Sequence, residues 1–319
     1  MRLCRFRRAG RVSVGFYSEA YIVPVAAAAA KYADAGKGKL NVPDGDDLLA
    51  LLPPDGAACG DAAQLAKWVA DNAAMLPDAV KLAPQSVELL VPVPQPPKLF
   101  LLAGNYAKHI EEGGGIAARR AETFPYVFMK PPTTTLTDPG KPARIPAISP
   151  DHIDWELELA VVIGRRARRV KEADALKYVA GYTVVNDISD REFHPHPERK
   201  LRTMDGFFDW LHGKWHDSFC PMGPCVVSAD AIPDPQTLDM KLTVNGKVRQ
   251  DSNTAYQIFP VAAVIEFLSS FVTLEPGDII STGTPGGVGD ATGTYLKPGD
   301  RIEATIRSIG TLVTPVVAE

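Results

Sequence analysis

Three acidic residues, Asp154, Glu156 and Glu158, recur at every second position in "DWELELAVVIG", directly before the apolar run Leu159 to Ile163. On a strand such positions share a face. Carboxylates gathered there repel one another, and burying a charge is costly unless it is paired or metal-bound. A further carboxylate, Asp187, ends the apolar run of "GYTVVNDISDRE". Two glutamates two apart and an aspartate ending a neighbouring strand would offer three converging oxygens. Such a donor set suits a hard divalent cation, Mg²⁺ or Mn²⁺, with Ca²⁺ as a further option. No histidine or cysteine stands at that spacing, which disfavours zinc. A solvated strand edge whose acids meet water or arginines accounts for the spacing equally well. The metal explains better why the acids abut a core-like run.

Other stretches carry chemistry of their own. In "AGNYAKHIEEGGG", His109 and Glu112 stand three apart and would share a face of a helix beginning near Asn105. A histidine oriented by a carboxylate is a workable general base near neutral pH, and a surface helix with a chance His/Glu pair is the bland alternative. "STGTPGGVG", Ser281 to Gly289, is a Gly-rich turn whose amides and hydroxyls could bind a carboxylate, though it lacks the lysine of a phosphate-binding loop. "HGKWHDSFCPMGP" places Lys214 near Asp217.

The elements that must position these groups are mostly short and β-rich. Runs such as "KLFLLAGN", "YVFMKPP", "LELAVVIG", "PCVVSA" and "GDIISTGTP" are bounded by Gly, Pro, Asn and Asp. Asn245-Gly246 in "MKLTVNGKVRQ" predicts a two-residue hairpin turn. Val261, Val264, Ile265 and Leu268 form one stripe of a helix opened by Pro260. Before this segment, "DAAQLAKWVADNAAML" reads as a helix capped by Asp61, and "RLCRFRRAGRVSV" as a hairpin turning at Ala9-Gly10 with its arginines on the wet side. The same Arg-rich start would also pass for part of an organelle presequence. Four prolines in "VPVPQPP" forbid a regular ladder. The expected organisation is a small α+β domain over 1–91, a stiff connector over 92–98, and a mainly β catalytic domain over 99–319, a β-sandwich, roll or barrel with a few covering helices.

Composition narrows the class. The chain has 319 residues, 45% hydrophobic and 23% charged, with formal net charge -4. Nothing global recommends nucleic acid or an anionic membrane as partner. The apolar runs fall short of the ~20 residues a membrane span needs. Four scattered cysteines make no disulfide scaffold, so a reducing cytoplasm is the expected compartment.

In this order, "GNYAKHIEEGG", "FMKPPTT", "DWELELAVVIG", "GYTVVNDISDRE", "GKWHDSFCPMGP", "VNGKVRQDSNT" and "LEPGDIISTGTPGGVG" resemble the fumarylacetoacetate hydrolase family from about residue 99 to the C-terminus. The resemblance implies a mixed β-roll, often dimeric, and a divalent metal, usually Mg²⁺ or Mn²⁺, on Glu156, Glu158 and Asp187. It makes His109, oriented by Glu112, the group that activates water, and Lys214 the cation that stabilises negative charge. Arg191, Gly283 and Thr284 match substrate-binding positions, and Lys130 and Gln250 belong to matching motifs assigned to the same task. The chain departs from the family pattern at Asp190, Glu192 and His194, and in the connection "PHPERKLRTMDGFFDWLHGKW" that follows.

The implied reaction is hydrolysis of a C–C bond in an acylpyruvate, a 2,4-dioxo acid of the fumarylpyruvate kind. The same site would also serve 2-oxo acid decarboxylation, tautomerisation or hydration. A protein of another class, binding oxo acids without turnover or serving as an assembly subunit, is the remaining alternative.

Overall fold

The computed structural model describes residues 1–319, and its centre is one strand, Leu157–Ile163, buried along its whole length. It pairs antiparallel with Val179–Asn186 on one side and Ile279–Ser281 on the other. Ile279–Ser281 then pairs parallel with Leu99–Ala103, so strands distant in sequence become neighbours. Side chains alternate across this strand. Leu157, Leu159, Val161 and Ile163 enter one core. Its far wall is a five-stranded sheet containing Asp239–Val244 and Arg301–Ile306, which contribute Met240, Leu242, Ile302 and Ala304. Ala160 and Val162 enter a second core with Leu48, Leu51 and Leu65 from the N-terminal segment. Glu158 has the parity of Ala160 and Val162, so the acids sit at the end of the face that the N-terminal segment covers. This is the mixed β architecture with few helices expected from the sequence.

The N-terminal hairpin forms between Arg2–Arg8 and Arg11–Tyr17, with Ala9 and Gly10 both at positive φ, the conformation a two-residue turn demands. Its arginines are not all on the wet side. Arg5 is buried, its guanidinium donating to the Val91 carbonyl (2.9 Å) and the Asp46 carboxylate (2.8 Å). The hairpin sits next to Cys220–Ser228 in the large sheet, so residues 1–91 share both sheet and core with the rest of the chain. The helix Cys59–Asp71 begins two residues before Asp61, whose carboxylate accepts the Asn41 amide instead of capping it. Asn245 and Gly246 turn the hairpin of Asp239–Val244 and Lys247–Asn253, both at positive φ. No helix is long and apolar enough to cross a membrane.

Candidate metal centre and its cavity

The row of three acids is not one continuous strand. Ile153–Asp154 pairs with Ser189–Asp190 in a two-stranded ribbon, and the large sheet takes over at Leu157. The break at Trp155 and Glu156 sends the carboxylates to different neighbours. Glu156 and Glu158 meet Asp187, which follows Val179–Asn186, with carboxylate oxygens of all three within 4.8 Å of one another and all three side chains buried. Asp154 turns away. Its Oδ1 accepts the Trp155 (2.7 Å) and Gly289 (2.6 Å) amides, and its Oδ2 accepts the Asp290 amide (3.0 Å) and Arg191 Nε (2.9 Å). Gly289 is required there, because a Cβ would lie 2.0 Å from the Thr294 carbonyl oxygen and 2.6 Å from Asp154 Oδ1.

Three cations balance the acids in part. Lys214 Nζ donates to Glu156 Oε2 (3.0 Å) and Asp187 Oδ2 (2.8 Å). Arg191 Nη2 lies 2.7 Å from Glu156 Oε1. Lys130 Nζ donates to the Ile188 (2.9 Å) and Phe219 (2.6 Å) carbonyls and also pairs with Asp187 Oδ1. Glu158 has no cation beside it. Its Oε2 accepts Ser281 Oγ (2.6 Å) and the Gly283 amide (2.8 Å), and its Oε1 is buried with no partner.

The electrostatics follow from these neighbours. Burial raises the pKa of Glu156, but Lys214 and Arg191 outweigh it and hold the carboxyl below the ordinary range. Burial, then Asp187 and Glu156, push Glu158 well above that range. Burial lowers the Lys214 pKa, and Asp187 and Glu156 more than restore it. A divalent cation among the three carboxylates would supply the positive charge that no neighbour gives Glu158 and a partner for Glu158 Oε1. The residues therefore fit such an ion, and oxygen donors alone fit Mg²⁺ or Mn²⁺.

Beside this cluster lies a cavity of about 190 Å³ lined by Gly104, His109, Glu156, Arg191, Lys214 and Thr284 among others. His109 comes from the short helix Ala107–Glu112. Its Nδ1 is buried without a hydrogen-bond partner, and burial, helped by Arg191 and Lys214, lowers its pKa below 6.5. The imidazole is neutral at pH 7 and able to accept a proton.

Glu112 does not hold His109 in place. Its carboxylate accepts the Gly287 amide (2.7 Å) and lies within 3.9 Å of Lys108 Nζ. The helix ends at Glu112, so this last side chain reaches the open amides of the glycine loop. Lys130 and Gln250, read as substrate contacts, are used inside the protein. Gln250 Oε1 accepts the Leu157 amide (3.0 Å), and its Nε2 donates to Thr284 Oγ1 (2.8 Å) and the Pro285 carbonyl (2.9 Å). Gly283 gives its amide to Glu158, and its φ of +88° suits glycine. Arg191 and Thr284 do face the cavity. Sequence reasoning missed Ser281, although its motif was noted. It also missed Asn105, whose Nδ2 ties the Phe259 and Thr282 carbonyls together at 3.1 and 2.8 Å.

A carboxylate triad at the end of a buried strand, beside a lysine and a histidine in a mixed β fold, defines a site able to combine a divalent cation with acid–base chemistry. The family model "Fumarylacetoacetate (FAA) hydrolase C-terminal" matches residues 98–317, and the chain belongs to that family. A mitochondrial oxaloacetate tautomerase of Xenopus laevis is 38% identical over 238 residues, 74% of this chain and 70% of that protein. A 2,4-didehydro-3-deoxy-L-rhamnonate hydrolase of Sphingomonas sp. is 42% identical over 69% of this chain and 73% of that protein. Among solved structures, maleylpyruvate hydrolase from Sphingobium sp. SYK-6 in complex with manganese(II) and pyruvate superposes with a TM-score of 0.70 at 30% identity, covering 100% of this chain and 99% of the other. The relatives are enzymes, and the family spans hydrolases, isomerases and tautomerases.

Proposed function

We propose that this chain is a divalent-metal-dependent hydrolase that cleaves a C–C bond in an acylpyruvate-type substrate. The observation that carries the reading is His109, with its unpartnered Nδ1, in the same cavity as Glu156, Arg191 and Lys214. Glu156, Glu158 and Asp187 would hold Mg²⁺ or Mn²⁺, which when bound supplies Lewis-acid polarisation of the 2-oxo acid end of the substrate. His109 takes a proton from water as its oxygen bonds to the C4 carbonyl carbon. The C3–C4 bond then breaks, leaving a carboxylic acid and the enolate of pyruvate, and a proton on C3 completes pyruvate. Lys214 lines the cavity and has three N–H groups, of which Glu156 and Asp187 take two, which leaves the third for the enolate. Arg191 and the Thr284 hydroxyl orient the oxo acid.

A second reading, 2-oxo acid tautomerisation, is favoured by the Xenopus relative and by the freedom of His109 from Glu112. A base with no carboxylate behind it can shuttle a proton between C3 and the enol oxygen without water. Pyruvate release from acylpyruvates, followed beside enol-to-keto conversion of oxaloacetate in Mn²⁺ and in chelator, separates the two. Metal-dependent pyruvate release supports the hydrolase. Tautomerisation without any hydrolysis replaces it.

A further inference from the structure

The catalytic cavity lies beside a second, larger pocket of about 510 Å³ lined by uncharged, mostly apolar side chains: Ala103, Tyr126, Val127, Phe128, Phe207 and Trp210. The two share Ala103 and Trp210. The aromatic wall starts at the carboxylate cluster itself. Lys214 Nζ, which bonds Glu156 and Asp187, is 5.4 Å from the Phe128 ring centroid and 5.9 Å from that of Trp210. Phe128 meets Trp210 edge-on at 5.0 Å, and Phe207 continues the wall at 5.8 Å from Trp210.

Phe207 and Trp210 belong to the helix Asp205–His212, inside the connection where this chain departs from the family pattern. Charges on its other side anchor that helix. Arg202 Nε donates to Asp205 Oδ1 (3.0 Å), and Asp209 meets His194 (3.1 Å) and Arg199. No cation lines the pocket, so a second carboxylate there would lose hydration with no compensating partner.

We infer that this pocket receives the acyl group of the substrate, and that this group is uncharged and aromatic or branched, not a dicarboxylic fumaryl or maleyl chain. The inference rests on the acylpyruvase reading above for the reaction but not for the pocket. The oxo acid end sits at Arg191, Thr284 and the carboxylates, and the C4 substituent passes Ala103 and Trp210 onto the faces of Phe128 and Phe207. Stacking and apolar burial then select it.

The test compares kcat/KM for benzoylpyruvate and fumarylpyruvate with the Mn²⁺-loaded enzyme, wild type and Phe207→Ala. Phe207 is 49% exposed, so its truncation leaves the fold intact. Benzoylpyruvate should be preferred by about 30-fold, and the variant should lose about tenfold of that ratio. A preference for fumarylpyruvate, or a ratio unmoved by Phe207→Ala, overturns the inference. If neither is cleaved, the reaction assignment fails while the pocket is still decided by calorimetric titration with pyruvate and 4-phenyl-2-oxobutanoate. About tenfold tighter binding of the phenyl compound, lost in Phe207→Ala, supports it, and equal affinities overturn it. Light scattering of Phe207→Asp covers the remaining occupant. An unchanged mass supports a ligand pocket, whereas a dimer that falls to monomer assigns this wall to a second copy and overturns it.

Discussion

Asp154 and Glu158 lie four residues apart, both are fully buried, and burial is the first cause raising the pKa of each. Their surroundings differ. Both oxygens of Asp154 are occupied by three backbone amides and Arg191, so the carboxylate clamps the Gly289–Asp290 turn to the ribbon at Ile153. Glu158 has a hydroxyl and an amide on one oxygen and nothing on the other. A saturated buried acid suits a structural role, and an unsaturated one beside two further carboxylates has the free oxygen that a cation ligand requires.

The sharpest break of that contrast is Glu158→Ala. With a metal oxygen gone, activity should fall by about 10³-fold or more, and the rise in Tm that Mn²⁺ gives the parent should vanish. A variant that Mn²⁺ stabilises as much as the parent would remove Glu158 from the site. His109→Ala should lose about 10²- to 10⁴-fold in kcat while its Tm still rises with Mn²⁺. Retained turnover would exclude it as the base.

Asp154→Asn should behave in the opposite sense. The amide nitrogen that replaces Oδ2 leaves the Asp290 amide without its acceptor and sets an N–H against Arg191 Nε, so stability should fall by about 3 kcal/mol, as for other broken buried pairs. The Mn²⁺-induced increment in Tm should persist, because the triad keeps all its oxygens. Loss of that increment with unchanged stability would reverse the roles of the two acids.

Much of this was legible beforehand. The period of two before an apolar run marked Glu156 and Glu158, and Asp187 at a strand end completed the triad. Spacing alone did not set Asp154 apart from the two glutamates, and the family resemblance did; what occupies Asp154 depends on Gly289 and Asp290, some 135 residues away in the chain. Arg5 was misplaced for a related reason. Alternation put it on the wet face, but the carbonyl of Val91 and the carboxylate of Asp46 arrive from distant segments to pair it. His109 and Glu112 do share the helix Ala107–Glu112, but the Gly287 amide, which arrives from a distant loop, takes the Glu112 carboxylate instead.

The acid side of the pH–rate profile sharpens the comparison further. Burial lowers the His109 pKa, and the base acts only when neutral, so kcat/KM should rise with pH and level off with a midpoint below 6.5. A midpoint above 6.5 would require a partner that stabilises imidazolium, the role Glu112 would play if it swung back from Gly287.

Glu112→Gln tests that role directly and should have the smallest effect. In the observed arrangement the side chain braces the glycine loop through one amide. The glutamine oxygen can accept that same hydrogen bond, with only its charge assistance lost. The change should therefore cost less than about tenfold in kcat/KM, carried mainly by KM, and leave the pH midpoint where it was. A dyad carboxylate behaves differently, because removing its charge destabilises the imidazolium that forms as water is deprotonated. The loss would then fall on kcat, by orders of magnitude, and the midpoint would move to lower pH. A large kcat defect would mean that Glu112 leaves Gly287 during turnover, so that the glycine loop and the base exchange one carboxylate between them.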